Sequence, residues 1–338
     1  MKRIFLCALI LICCPFEMVA QDVGRGNWMS RLCDSCTVAS LSIPGAHDAV
    51  TGEGLHMVAG LGKTQGLALS RLWDCGVRAF DLRPAVKGGE LHIYHGPVRT
   101  NVSFNEALDI ICHKLAEHPT EFAIVLLREE SDSENSAERV LWPSAVGNAI
   151  AALGEKAAIF SPAMSVKDAR GKIIFISRNT YMGTGRGAII KGWTHSPSGT
   201  SNAEIISCYS GIVARLQMQD YYAPTNKEKQ KVKEKAVLQC LQRAADAPAD
   251  VWTINSLSGY SNRWLGFTPF ATTSGYKHNA ERIHPIVISS LTAKPQSTGI
   301  MLLDFAGCDK TGGGIWHWSA FETLGAEMVD KIIGQNFK

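Results

Sequence analysis

From about residue 40 to its end the chain alternates short apolar runs with stretches of helical periodicity, and this alternation constrains its fold more than any other feature. The runs are Ala39 to Ile43, Arg78 to Arg83, Leu91 to His95, Glu121 to Leu127, Lys172 to Ser177, Gly211 to Gln217, Val251 to Asn255 and Gly299 to Asp304. Most are continuously apolar rather than strictly alternating, as expected of strands buried on both faces. Helical segments fall between many of them. At Ser103 and Glu106 a capping box opens one, and Leu108, Ile111, Cys112 and Leu115 follow at helical spacing before Pro119. Ser136 to Leu153, with Pro143 breaking or starting a helix inside it, Lys227 to Ala247 and Ala320 to Ile333 read as further helices. Eight strands with intervening helices predict a single-domain α/β fold, a TIM-type barrel. Pro84 to Glu90 is too short for a crossover helix between parallel strands, so an irregular barrel is expected.

Composition fits one large folded unit: 338 residues, 46% hydrophobic and 19% charged. A net charge of +3, from 34 basic and 31 acidic side chains with no dense basic tract, argues against a nucleic-acid partner. The mixed Lys/Glu run from Asn226 to Lys235 reads as a solvated helix face. Residues 1–20 differ: Lys2 and Arg3, an apolar run to Pro15 and the sequence Val19-Ala20-Gln21 have the pattern of a secretory signal, with cleavage expected after Ala20. That run is short for a membrane span. Cys13 or Cys14 is an alternative lipid-attachment site, disfavoured by the large Ile12. The expected location is secreted or periplasmic. Ten cysteines less Cys7, Cys13 and Cys14 leave seven. Cys33 and Cys36 form a CxxC that a secreted chain could close as a disulfide, and the others read as core thiols.

Chemically capable residues cluster at the strand ends. His47-Asp48 follows the first run, Arg83 ends the second, His95 ends the third and Arg128 follows the fourth. Arg178 follows the fifth, Asp220 the sixth, and Asp304 ends the last. Parallel barrel strands bring such ends to one face, where active sites form. Singly, each has a structural explanation; Arg83, for instance, shares a strand side with Asp81 and could pair with it. Two histidines, several arginines and two aspartates at one rim are harder to explain that way.

The segment Ser42-Ile-Pro-Gly-Ala-His-Asp48 resembles the first catalytic motif of the bacterial phosphatidylinositol-specific phospholipase C family. Gly76-Val-Arg-Ala-Phe-Asp-Leu-Arg83 with Leu91-His-Ile-Tyr-His-Gly96 resembles the second, and Gly299 to Phe305 resembles the strand carrying that family's late aspartate. The resemblance spans about residues 37 to 310 and departs at Ala46 and Ala49, where the family usually has Thr and Ser. It implies cleavage of an inositol phospholipid by attack of the inositol 2-hydroxyl. His47 would be the general base and His95 the general acid. Asp304 would hold His47, and Asp48 would support the acid. A guanidinium at Arg83 would stabilise the phosphoryl oxygens. In calcium-dependent relatives an acidic metal ligand stands at the Arg83 position, so no metal and no other cofactor is expected. Arg128, Arg178, Asp220 and Tyr222 match the headgroup contacts, while Trp264 and Gly312 to Trp318 are candidate lipid contacts. The expected partner is an inositol phospholipid at a membrane surface, with no obligate protein partner. The alternatives are a metal-dependent phosphodiesterase of glycerophosphodiester or sphingomyelinase D type, and a non-catalytic lipid-binding module.

Overall fold

The computed structural model describes residues 24–53, 62–130, 136–195, 199–260, 273–291, 296–312 and 320–337. The signal-like segment 1–20, Trp264 and residues 313–318 lie outside the described residues.

The predicted single-domain α/β barrel is present, and it closes with nine strands rather than eight. In spatial order these are β1 (Ser42–Ala46), β12 (Gly299–Leu303), β11 (Trp252–Ser256), β10 (Val213–Gln219), β9 (Ser201–Ser207), β8 (Ala188–Lys191), β7 (Ile173–Ser177), β6 (Ala123–Leu127) and β2 (Ala79–Leu82), which returns to β1. Every neighbouring pair is parallel except the two made by β9, which runs against both β8 and β10. The first predicted strand begins three residues late, because Val38–Ser40 forms a 3-10 turn. Pro44, which has no N–H to donate, precedes the short ladder between β1 and β2 at Gly45 and Ala46. Gly45 is required there: a Cβ would lie 2.9 Å from Leu302 and 3.1 Å from Ala79.

The Leu91 to His95 run is a strand, but not a barrel strand. β3 (Pro84–Lys87), β4 (Glu90–His95) and β5 (Val98–Ser103) form an antiparallel sheet inserted between β2 and β6. The connection too short for a crossover helix holds the first strand of this excursion, β3, and its turn into β4.

Helices cover the outside. α1 (Leu69–Asp74) precedes β2, and α2 (Phe104–Glu117) starts at the expected capping box, with Ser103 and Glu106 satisfying each other's backbone. A 3-10 turn, Ser136–Leu141, leads into α3 (Trp142–Ala152), whose first turn takes Pro143. α4 (Val166–Ala169) is short, and α5 (Lys227–Ala245) is the predicted charged helix. α6 (Thr273–Leu291) contains Pro285 and was not expected. α7 (Gly325–Gly334) starts later than predicted, because Phe321–Glu322 (β14) pairs with Lys310–Thr311 (β13).

Two apolar layers hold this together. Phe80, Val125, Phe175 and Leu303 point outward onto the helices. Ile43, Ile124, Leu126, Ile174, Ile176, Leu216, Met218, Ile254, Ile300 and Leu302 fill the barrel, with Trp28 and Met29 of an N-terminal 3-10 turn (Arg25–Arg31) in the same cluster. There Arg78 is fully buried, 2.8 Å from Glu121 and stacked on Trp73. It is a structural ion pair. Cys33 and Cys36 are free thiols on a turn closed by a Cys36 N–H to Cys33 carbonyl bond of 3.1 Å. Cys112 and Cys240 are buried thiols, as expected.

Candidate active site

Strand alternation sets the site. Inward positions of β6 are Ile124 and Leu126, and two residues on comes Arg128. The same step leads from Ile176 to Arg178, from Met218 to Asp220, from Leu302 to Asp304 and from Gly45 to His47. On β2 it leads from Ala79 through Asp81 to Arg83. Each inward column thus turns from apolar to ionisable at the same end of the barrel.

His47 is buried at the centre. Its Nδ1 lies 2.9 Å from Asp304 Oδ1 and 2.9 Å from the Ser258 hydroxyl. Its Nε2 lies 2.7 Å from Arg83 Nη2. A guanidinium only donates, so Nε2 offers a lone pair and the ring proton sits on Nδ1 facing Asp304. Burial pushes the imidazole pKa down, but Asp48 and Asp304 outweigh it against the opposing Arg83, and the net shift is upward.

Asp48 stands between the two histidines, its Oδ2 3.3 Å from His47 Nε2 and 3.4 Å from His95 Nε2. Its backbone is left-handed at φ 44°, a conformation aspartate tolerates better than most residues. Burial favours its neutral form, yet Arg83, His47 and His95 hold its pKa down at about 2. Arg83 Nε lies 2.8 Å from Asp48, Nη2 2.9 Å from Asp81 and Nη1 3.8 Å from Glu130. These carboxylates overcome burial and push its pKa up. His47, Asp48 and Asp81 come within 4.8 Å of one another, a donor set of metal-ligand type. Arg83 already pairs with both carboxylates, so a dication there would meet a fixed positive charge.

His95 arrives from outside the barrel, on β4, its Nδ1 donating to the Gly62 carbonyl. The Tyr94 N–H to Arg83 carbonyl bond, 3.1 Å, ties this strand to the end of β2. Tyr276 of α6 places its hydroxyl 3.3 Å from His95 Nε2 and bonds the Tyr222 hydroxyl. The Tyr222 ring lies 6.1 Å from that of His47.

A second cluster sits beside these groups. Asp220 Oδ2 accepts from Trp193 Nε1 at 2.8 Å and lies 3.0 Å from His195 Nδ1 and 3.6 Å from Arg178 Nη1. Arg178 stacks on Trp193 at 3.6 Å. Despite burial, His195 and Arg178 hold Asp220 well below the usual carboxylate range. Arg128 lies 3.8 Å from Glu130, the carboxylate that also faces Arg83.

All nine sequence-predicted site residues are therefore at this end, in two adjoining clusters. Asp81, expected only as an ion-pair partner of Arg83, pairs with it as expected and joins the site; Glu130, Trp193, His195, Ser258 and Tyr276 join without having been singled out. For Ser258 the two-residue strand period was an available signal; for Tyr276, on a helix with an internal proline, none was.

No family model matches the chain. It is similar to the 1-phosphatidylinositol phosphodiesterase of Listeria monocytogenes, 26% identical over 291 residues, covering 85% of this chain and 83% of that protein. A protein of the same name from Staphylococcus aureus strain Newman is 24% identical over 318 residues, covering 90% and 93%. Among solved structures, a phosphatidylinositol-specific phospholipase C of S. aureus superposes with a TM-score of 0.70 at 23% identity, over 91% of this chain and 97% of that one. The L. monocytogenes phospholipase C does so with a TM-score of 0.63 at 24% identity, over 94% and 100%. The barrel is the fold of these proteins.

Proposed function

We infer that this chain belongs to the bacterial phosphatidylinositol-specific phospholipase C family and cleaves an inositol phospholipid to diacylglycerol and a cyclic inositol phosphate. The observation that carries the reading is Asp48 touching both His47 and His95, with Arg83 held between carboxylates beside them. Two imidazoles on one carboxylate, next to a guanidinium, suit a reaction that removes one proton, adds another and builds charge on phosphoryl oxygens.

In this mechanism His47 Nε2 takes the proton of the 2-hydroxyl, whose oxygen forms the new bond to phosphorus. The bond from phosphorus to the glycerol oxygen breaks, and His95 Nε2 gives that oxygen its proton. Asp304 fixes the Nδ1–H tautomer of His47. Asp48 orients the imidazolium of His95. Arg83 donates to the phosphoryl oxygens; leaving His47 Nε2 to do so, it frees the lone pair that the hydroxyl needs. Arg178, Asp220 and Tyr222 hold the inositol, two through charged hydrogen bonds and one through its ring face. Arg128 adds positive charge at the pocket edge. Relatives named for phosphatidylinositol cleavage, and a neighbour whose membrane binding is described, support a substrate presented at a membrane surface. The first twenty residues support export, and a mature N-terminus at Gln21 would bear this out.

The test is turnover of phosphatidylinositol micelles in EDTA, with product phosphorus followed by NMR beside a His47→Ala control. A cyclic phosphate that persists in chelator and is lost in the variant is expected. Activity that appears only with added calcium or magnesium would overturn the assignment of Arg83 and favour the metal-dependent phosphodiesterases.

A further inference from the structure

We propose that Gln65 is a positioning residue of the base, an amide brace that locks the end of β1, which carries His47, to the end of β12, which carries Asp304. This rests on the reading of His47 as general base.

The Gln65 side chain is fully buried. Its Nε2 donates to the His47 carbonyl at 2.7 Å and to the Leu303 carbonyl at 2.8 Å. Its Oε1 accepts from the Ala306 N–H at 3.0 Å. Two carbonyls demand the NH2 and one N–H demands the oxygen, so the partners alone fix the amide's orientation. Both donors and an acceptor lone pair are spent across a single gap between two strands. Thr64 adds to the clasp: its hydroxyl donates to the His47 carbonyl at 3.1 Å, and its carbonyl accepts from Phe305 N–H at 2.7 Å. Phe305, directly after Asp304, has φ 52°, a left-handed conformation costly for a bulky residue. The bonds to Phe305 and Ala306 hold that turn, and with it the angle at which the Asp304 carboxylate leaves β12.

The opposite end of β1 supplies a matched control. Asn336 accepts from Ser42 N–H at 2.9 Å and donates to the Ser42 carbonyl at 2.8 Å. It is also an amide brace on β1, but far from the histidines in the strand. If bracing served stability alone, the two would behave alike.

His47 faces Asp48, Asp81, Arg83 and Asp304, with the rings of Tyr222 and Tyr276 beside it. Among these, Asp304 is the partner the brace controls, and it raises the affinity of His47 for a proton. Loosening it lowers that affinity, so the acid limb of kcat/KM moves to lower pH.

Gln65→Ala is expected to lower kcat by about 10- to 100-fold, with KM within about threefold and the acid limb displaced to lower pH. Gln65→Leu is close in volume, carries no charge and loses both donors; it is expected to do the same, and it serves if the alanine variant does not fold. Asn336→Ala is expected to lower the Tm while leaving kcat and the limb in place. Gln65 variants that lose Tm as Asn336→Ala does, yet keep kcat and the limb, overturn the proposal. The His47 imidazole is also titrated by NMR in wild type and variants, a readout independent of turnover. A wild type that fails to turn over lipid sinks the assigned reaction, while an unmoved His47 titration in both Gln65 variants sinks the brace.

Discussion

Asp48 shows how much one residue has to satisfy here. It is within 3.4 Å of both histidines and pairs with Arg83, and the guanidinium, with the two imidazoles, overcomes a burial that would otherwise neutralise it. The folded-state pKa, about 2, lies below the reference value of 3.8. The charged form therefore contributes stability above the unfolded value, and this contribution disappears as pH falls from about 4 to about 2. Urea midpoints measured across that window should fall more steeply for wild type than for Asp48→Asn; parallel curves would show that folding leaves the pKa of this carboxylate unchanged. His47, His95, Asp48, Arg83 and Asp304 were legible in the sequence because each sits inside a run or motif with local order. Tyr276 was not: it reaches His95 from a distant helix, and nothing in its neighbours in sequence predicts that meeting.

At the scale of elements, legibility followed burial. Strands covered on both faces, such as β6, β7 and β12, are wholly buried and appear in the sequence as uninterrupted apolar runs. β9 was missed because its buried and exposed residues alternate, so Ser201 to Ser207 reads as polar chain rather than as a barrel wall. α6 was hidden by Pro285. The capping box was the most readable local signal, and its energy can be checked. Ser103→Ala removes the acceptor for the Glu106 N–H and should cost about 1 kcal/mol of stability by urea titration, with kcat unchanged. A loss of activity at equal folded fraction would mean that this end of α2 and β5 feels the active site.

For the molecule as a whole, the alternation of runs and helices correctly implied one closed α/β barrel, and the short Pro84 to Glu90 link correctly implied an irregularity. What that link could not reveal is that the strand after it leaves the barrel altogether. His47, Arg83, Arg178, Asp220 and Asp304 stand on or just beyond barrel strands, whereas His95 stands on the three-stranded excursion. A nine-strand closed wall and a small inserted sheet need not open at the same free energy. In rising urea, lipid turnover is expected to vanish before the far-UV signal of the barrel, with amides of β4 and β5 exchanging ahead of those of β6 and β12; coincident transitions would rule this out. In the window between, the molecule would be an inositol receptor without a proton to give: able to hold the headgroup, unable to release the lipid.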